Sequence, residues 1–261
     1  MMAKRNRVLI YEDYGCASIN ILKTALEQYY RGSGIGVDVA DASAIIRDRV
    51  LNDEVLAFVM PGGAATPYRQ KLQVQGNDAI AEYIAAGGAY LGICAGAYYA
   101  CSHVEFEKDI PELKIVRDDG LLGLVDATAV GTMYKELGIR PYAANQASAA
   151  AVNLHWYRDD ERHIAYYHGG PKFELHEPDI EVLATYGDLA GEPPAIVRKQ
   201  YGDGCLVLSG VHIEDSGADL LKTIHALRID VKEARSVAEN LLKNESHRSA
   251  LFHKVMSALT R

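Results

Sequence analysis

The chain has 261 residues, of which 49% are hydrophobic and 24% charged, and its formal net charge is −8. This length fits one large α/β domain or two small ones, and the composition is ordinary for a globular protein. The acidic balance argues against a nucleic-acid partner, because contacts to phosphates need a basic surface. The four cysteines are irregularly spaced and form no C-x-x-C pair, so they indicate neither a zinc site nor a disulfide framework.

The amino-terminal sequence predicts a cytoplasmic protein. Residues 1–7 are mostly polar and basic, and the apolar run at 8–11 is too short for the core of a signal peptide. No stretch approaches the ~18 apolar residues of a membrane span. We therefore expect a cytoplasmic protein that acts on a small-molecule substrate, with neither a nucleic-acid nor a membrane partner.

Short apolar runs alternate with helical patterns over the first half of the chain. The predicted strands are 8–11, 37–40, 55–60 and 89–93, and the predicted helices include 19–30 and 78–86. This alternation is typical of βαβ units with a parallel sheet.

The second half contains closely spaced strand patterns. They lie at 152–157, 163–167, 182–186, 196–200 and 205–209. Such spacing indicates antiparallel strands added to the parallel sheet. From Asp219 onward the pattern is helical. We therefore predict an α/β fold with a doubly wound, mostly parallel sheet, added antiparallel strands and a C-terminal helical tail.

The strongest local signal surrounds Cys94, where Gly92 and Gly96 complete the G-x-C-x-G form of a nucleophile elbow. In such an elbow the reactive side chain lies on a crowded turn between a strand and a helix, so its neighbours must be small. The helix N-terminus also favours a thiolate at this position. The alternative interpretation is a buried structural cysteine at a glycine-rich strand end.

Two further motifs follow predicted strands. His212 and Glu214 are two residues apart at a strand end and can point the same way, so the histidine would act as base to a thiol and the glutamate would fix its tautomer. Gly62 and Gly63 follow the strand at 55–60, and their N–H groups, with that of Ala95, are predicted to form an oxyanion hole. Alone, these motifs are equally typical of surface polar residues and a plain tight turn.

Together the motifs resemble the class I glutamine amidotransferase superfamily, which carries a cysteine elbow and a late His-x-Glu. More closely, the chain is similar to the N-terminal domain of fungal biotin–protein ligases and its stand-alone bacterial relatives. The matching stretches lie between roughly residues 7 and 215 and include 61–64 with 67–68, 88–96 with Tyr98, 104–106, Tyr167 with 169–170, 182–186 and 210–214.

The resemblance implies a flavodoxin-like, class I glutamine amidotransferase-like domain over residues 1–218, with residues 219–261 as a helical extension packed on it. It implies a Cys94–His212–Glu214 triad that attacks an amide or acyl carbon, a synthetase or ligase as partner, and neither a cofactor nor a metal. It does not imply ligase activity, because ligase catalysis resides in a separate C-terminal module whose basic glycine-rich loop has no counterpart here.

Two positions depart from the superfamily pattern. Tyr98 stands where a glutamine helps to hold the substrate amino acid, and a tyrosine there would fill the glutamine pocket. Ile213 stands where proline is frequent, and isoleucine keeps the backbone extended.

In a doubly wound sheet, ligands bind beyond the carboxyl ends of the strands. This rule places Asp13, Tyr68 and Tyr98 near the elbow. A lid over the site is expected at Tyr167, Gly169 and Gly170, because a glycine pair lets the backbone approach a ligand closely. These six residues are the predicted substrate-binding residues. Two other functions fit the same residues. One is a hydrolase of the cyanophycinase and peptidase E type, whose Ser-Ala-Gly-Ala elbow residues 94–97 resemble. The other is a non-catalytic regulatory module that binds a ligand.

Overall fold

The computed structural model describes residues 5–144, 146–226 and 232–260. Its strands are β1 Arg7–Tyr11, β2 Gly36–Ala40, β3 Val55–Met60, β4 Ala89–Ile93, β5 Cys101–Phe106, β6 Ile115–Arg117, β7 Val125–Gly131, β8 Ala150–Trp156, β9 Glu161–Tyr167, β10 Lys172–Leu175, β11 Glu181–Tyr186, β12 Pro194–Tyr201 and β13 Gly204–Ser209. Its helices are α1 Ile19–Tyr29, α2 Ala42–Ile46, α3 Ala65–Ala85, α4 Ala95–Ala100, α5 Tyr134–Leu137, α6 Gly217–Ala226, α7 Lys232–Lys243 and α8 Glu245–Leu259.

The large sheet has the strand order β2-β1-β3-β4-β13-β12-β11-β8-β9. Neighbours from β2 to β13 are parallel, in the 2-1-3-4-5 order of flavodoxin-like sheets. Neighbours from β13 to β9 are antiparallel. The predicted fold class, a doubly wound parallel sheet extended by antiparallel strands, is therefore confirmed.

The centre of the sheet consists of β3, β4 and β13, which are adjacent and parallel. Every residue of β4 and β13 is buried. Continuous apolar runs suit such strands, because helices cover both faces of a parallel sheet. Since the three strands run the same way, their carboxyl ends meet at one edge, and residues 61–63, Cys94 and His212 all follow those ends.

A second sheet with the order β10-β7-β5-β6 is not predicted by the sequence. Its strand β5 contains Ser102, His103 and Glu105, so apolar residues do not alternate along it. It also follows α4 without a connecting loop. Side chains of β5 and β6 line the cavity described below, so this sheet contributes to the site.

Helix α3 is much longer than the predicted helix at 78–86. Pro67 and Gly76 lie within it, and both residues reduce helix propensity in a sequence pattern. Its backbone departs from helical geometry at Gln73, where φ is 54°. The kink interrupts the helical pattern, so the amino-terminal half of α3 could not be predicted from the sequence.

The helical C-terminal region packs on the same sheet. Leu251, Val255 and Met256 of α8 belong to the hydrophobic cluster that contains residues of β1, β4 and β13. Helix α6 begins at Gly217, just before the boundary predicted at residue 218. None of the helices in the described ranges has the length and apolar character needed to cross a bilayer.

We predict that Leu251→Ala lowers the free energy of unfolding by about 2–5 kcal/mol, because it opens a cavity beneath the sheet. Leu242→Ala makes the same change at a side chain that is 41% exposed and should cost well under half as much. Urea denaturation of both variants measures the difference. Equal losses would contradict a core position for α8.

Candidate active site

The turn at Cys94 joins β4 directly to α4. Its backbone is left-handed, with φ 50° and ψ −104°, a conformation that is costly for any residue with a Cβ. The N–H of Cys94 donates to Ser209 O at 2.9 Å, and the N–H of Gly96 donates to Pro61 O at 3.1 Å. The turn is therefore fastened to the strands on both sides of β4.

Glycines make this turn sterically allowed. A Cβ on Gly92 would lie 2.6 Å from Gly96 O, and a Cβ on Gly96 would lie 2.2 Å from Met60 O. Both distances are far below van der Waals contact, and both involve backbone atoms that cannot move aside. The small residues of the G-x-C-x-G sequence are thus required by the packing of the turn.

His212 lies beside Cys94 at the end of the neighbouring strand. A Cβ placed on Gly62 would meet both side chains, His212 Cε1 at 2.7 Å and Cys94 Cβ at 3.6 Å. The backbone N–H of His212 donates to Tyr166 O at 2.8 Å. The imidazole is therefore held between the Gly62 backbone, the cysteine and β9.

Glu214 holds the imidazole from its other side. Glu214 Oε1 lies 2.9 Å from His212 Nδ1. Because an ionised carboxylate only accepts hydrogen bonds, the proton of this pair resides on Nδ1, and Nε2 is the nitrogen left for chemistry. The other carboxylate oxygen, Oε2, is buried without a hydrogen-bond partner in the described structure.

The electrostatic surroundings favour the protonated form of His212. Burial opposes a charge on the imidazole, but the Glu214 carboxylate and the Cys94 side chain outweigh it and raise the pKa of His212 well above its ordinary value. A base whose pKa is raised in this way holds a proton that it has taken from a thiol. The three side chains of the predicted triad thus occupy one contiguous group with suitable chemistry.

Asp215 is an acidic neighbour that the sequence-based site prediction omits. Its Oδ2 lies 3.5 Å from His212 Nδ1, and its side chain lines the cavity. Burial, followed by repulsion from Glu214, raises the pKa of Asp215 to about 7. In the sequence, its position immediately after the His-x-Glu motif could have indicated that Asp215 belongs to the site.

Within the described ranges, one group of side chains has the geometry to hold a metal ion. The donor atoms of His212, Glu214 and Asp215 lie within 4.8 Å of one another. A metal on Nδ1 would have to replace the proton that Glu214 now accepts.

The predicted oxyanion-hole residues surround the same turn. Gly63 and Ala95 line the cavity together with Cys94. As the first residue of α4, Ala95 has an N–H with no partner inside the helix. Gly62 is buried, and its carbonyl accepts from Ala17 N at 2.9 Å and from the Tyr68 hydroxyl at 2.8 Å. Their role as oxyanion donors stays a prediction.

The cavity at the strand ends has a volume of about 630 Å³, which is the size of a small-molecule site. Cys94 and His212 open onto it, as do Tyr98 and Gly169 among the predicted substrate-binding residues. Tyr142, Tyr166, His168 and Asp215 line it as well.

Two of the residues predicted to bind substrate after β9, Tyr167 and Gly170, do not line the cavity. Tyr167 is fully buried away from the cavity; its hydroxyl accepts from Met133 N at 3.0 Å and donates to Gly170 O at 3.1 Å. Because side chains alternate along a strand, the neighbouring Tyr166 and His168 line the cavity instead. A Cβ on Gly170 would lie 2.0 Å from Gly210 O, so this glycine serves backbone packing.

Tyr68 and Asp13 also lie outside the cavity lining. The buried Tyr68 hydroxyl braces the loop at Gly62. The Asp13 carboxylate accepts from Tyr14 N at 2.7 Å and Ala42 N at 3.4 Å and pairs with Lys71 at 3.5 Å. Asp13 thereby fixes the loop after β1 and the start of α2, so neither residue is retained as a substrate contact.

His168 is the histidine that sequence reasoning missed. Burial lowers the pKa of His168 to about 4, so the ring is neutral. Its Nε2–H donates to Ala143 O at 2.9 Å, which leaves Nδ1 as an acceptor. Its ring stacks on Tyr142 at 5.1 Å, and its carbonyl accepts from Cys94 Sγ at 3.7 Å.

Tyr98 occupies the space behind the elbow. Its hydroxyl donates to Gly169 O at 3.1 Å, and its ring packs edge-on against Phe106. A Cβ on Gly131 would lie 1.6 Å from the Tyr98 oxygen, so the fit is tight. The tyrosine therefore fills the volume that follows the elbow.

Comparison with known proteins places the chain in a family. The family model described as "Biotin-protein ligase, N terminal" matches residues 6–260. The chain belongs to this family. An uncharacterized protein of Chlamydia muridarum is 30% identical over 257 residues, which cover 96% of this chain and 95% of the relative.

A second relative is much longer than this chain. The biotin–protein ligase of Schizosaccharomyces pombe is 28% identical over 214 residues, covering 80% of this chain but only 33% of the ligase. The chain thus corresponds to about a third of that enzyme.

Solved structures support the fold of the family. A glutamine amidotransferase from Thermotoga maritima aligns at a TM-score of 0.57 and 15% identity, covering 98% of this chain and 96% of its own. A cytoplasmic protein of Salmonella typhimurium LT2 aligns at 0.50 and 12% identity, covering 97% and 99%. At these identities the likeness concerns the fold alone.

We predict that Cys94→Gly is more stable than Cys94→Ala by about 1 kcal/mol. Both variants lose the thiol, but alanine keeps a Cβ in a left-handed turn that costs roughly 1–3 kcal/mol, and glycine loses only part of that gain to chain entropy. Urea denaturation measures the difference. Ala97→Gly, inside α4, is the control and should be destabilising by about 1 kcal/mol relative to wild type. A glycine variant less stable than the alanine variant would contradict the turn geometry.

Proposed function

We propose that this protein is a cysteine-nucleophile amidase or acyl-transfer enzyme in which Cys94 attacks, His212 carries the proton and Glu214 orients the imidazole. The observation that supports it most is the placement of Cys94 and His212 next to Gly62 in the lining of one cavity, where the Cys94 side chain helps to raise the pKa of His212. A structural cysteine would need neither a strained turn nor a carboxylate-bound histidine beside it.

The proposed reaction has two steps. In the first, the Cys94 sulfur forms a bond to the acyl carbon, and the bond from that carbon to the leaving nitrogen breaks while His212 passes the thiol proton to the leaving amine. In the second, water attacks the thioester, its proton passes to His212, and the carbon–sulfur bond breaks to restore the thiol. Backbone N–H groups at Gly63 and Ala95 are suited to stabilise the oxyanion, a contribution of ~3–4 kcal/mol per donor in related chemistry.

We further propose that the substrate is an amide or acyl compound other than free glutamine. Tyr98 packs against Phe106 and Gly131 behind the elbow, where a glutamine-binding side chain stands in glutamine amidotransferases. Its hydroxyl is engaged by Gly169 O and is not free to bind an amino acid without loss of that hydrogen bond.

A ligase or synthetase is the partner that we propose for this domain. The support is its similarity to the amino-terminal family of biotin–protein ligases, together with the greater length of the Schizosaccharomyces pombe ligase. In this arrangement the domain would modify or bind a small molecule, and the ligation chemistry would belong to the partner.

We expect iodoacetamide to alkylate Cys94 at neutral pH at least about tenfold faster than Cys101 and Cys205, because Cys94 opens onto the cavity beside a base, whereas burial raises the pKa of the Cys101 and Cys205 thiols. His212→Ala should abolish the excess rate, and Glu214→Gln should reduce it by weakening the orientation of the ring. Peptide mass mapping over time reports each cysteine separately.

The matched control is His253→Ala, which removes an exposed histidine from α8. It should leave the rate at Cys94 unchanged. If Cys94 reacts at the rate of an ordinary thiol and His212→Ala has no effect, the enzymatic proposal is wrong, and a ligand-binding regulatory module becomes the better description.

A further inference from the structure

The cavity of Cys94 has a second wall, formed by β5, β6 and α3, that carries positive charge. Three basic side chains line it, Arg69, Lys114 and Arg117. Apolar side chains of the same wall include Val104 and Phe106. This combination lies outside the triad and is not explained by the chemistry proposed for Cys94.

Arg117 is placed on the cavity by the alternation of β6. Ile115 and Arg117 line the cavity, whereas Val116 between them is 49% exposed. Across the antiparallel pair, Arg117 stands opposite Val104, which also lines the cavity. The register of the second sheet therefore directs this guanidinium to the cavity and not to the outer surface.

The Arg117 guanidinium has a buried donor without a partner. Its Nη1 is shielded from solvent and makes no hydrogen bond to any described residue. A buried donor left unsatisfied costs roughly 1–3 kcal/mol, and more when the group is charged. Such a cost at a cavity wall is what a site for an anion would show before its ligand binds.

Arg69 presents a similar, weaker signal. Its Nη1 pairs with Asp119 at 3.0 Å, and its aliphatic stem packs on Gly120, where a Cβ would lie 2.4 Å from Arg69 Cδ. The side chain is thus held in place, yet its buried Nε has no partner in the described structure. The ion pair with Asp119 therefore leaves the Nε donor of Arg69 unused.

The balance of charge along the cavity favours an anion at this wall. The acidic residues in the lining are Glu112 and Asp215. Asp215 belongs to the His212 group, 3.5 Å from its Nδ1. Arg69 is already paired with Asp119, so Lys114 and Arg117 stand against Glu112, in a protein whose formal net charge is −8.

We infer that the substrate of the Cys94 site carries an anionic group, a carboxylate or a phosphate, that Arg117 binds together with Arg69 and Lys114. The inference rests on the proposed function, since it assigns a substrate class to the same site. The planar guanidinium matches either oxyanion through paired N–H donors. The apolar surface at Val104 and Phe106 is suited to the body of the molecule between the acyl carbon and its anionic end.

The test compares three alkylating reagents of similar size at Cys94. Two carry anionic ends, N-iodoacetyl-β-alanine and N-iodoacetyl-2-aminoethylphosphonate, and one is neutral, N-propyl iodoacetamide. In each case the sulfur forms a bond to the methylene carbon, iodide leaves, and the thiol proton passes to His212. We expect one or both anionic reagents to react about tenfold faster than the neutral one, the factor that one charge-assisted hydrogen bond supplies. The faster of the two identifies a carboxylate or a phosphate.

The variants separate a local effect from a general one. Arg117→Gln should bring the ratio of anionic to neutral rates to about one, and Arg117→Lys should lower it only in part, because lysine keeps the charge without the planar fork. Arg49→Gln removes an exposed arginine that pairs with Glu82, changes the net charge equally and should keep the ratio.

A ratio of about one in the wild type, or one that Arg117→Gln leaves intact, would overturn the inference. Either result is compatible with fast alkylation of Cys94 that depends on His212, so the proposed function would stand. Slow alkylation by all three reagents, with the anionic preference retained, would instead count against the proposed function and support the anion site.

Discussion

The left-handed turn at Cys94 is the constraint on which the rest of the site depends. It ends β4 abruptly and starts α4, and its hydrogen bonds to Ser209 O and Pro61 O hold it between two neighbouring strands. Strain of roughly 1–3 kcal/mol at such a turn persists only where the surroundings determine it. Here the surroundings are the buried centre of a sheet, and the sulfur is delivered to the edge where the carboxyl ends of three parallel strands meet.

The electrostatics of the site follow from that placement. His212 is buried at the next strand end, so it can be charged only if partners compensate, and Glu214 and Cys94 supply that compensation. Asp215 adds a second carboxyl group within the same small volume, which explains why its own proton is retained to about pH 7. On the other wall, Arg69 and Arg117 keep unsatisfied donors. The cavity therefore combines a nucleophile end rich in acidic groups with a basic wall.

The parallel half of the sheet could be predicted from the sequence, because strand and helix patterns are local. Cys94 and His212 then lie near one another because each follows the carboxyl end of one of two neighbouring parallel strands. The predicted bounds of β3 and β4 agree with the structure to the residue, since short apolar runs flanked by glycine or proline are typical of buried strands. The second sheet could not be predicted, because the polar residues of β5 interrupt the alternation of apolar and polar side chains that indicates a strand. The substrate contacts depend on side-chain direction, which the sequence motif does not specify: Tyr167 is buried, and the alternation of β9 turns Tyr166 and His168 to the cavity. Tyr68 and Asp13 were correctly placed near strand ends, but local hydrogen bonds with the backbone occupy them.

The most direct test of the central claim is the titration of His212 followed by nitrogen-15 NMR in the wild type and in Cys94→Ala. Because the Cys94 side chain contributes to the raised pKa of His212, the account predicts that the imidazole stays protonated well above its ordinary pKa in the wild type. In the alanine variant the pKa should fall, with the signal of Nδ1 still showing the proton shared with Glu214. Identical titration curves in the two proteins would mean that the sulfur and the imidazole do not interact, and the proposed nucleophile and base would lose their physical basis.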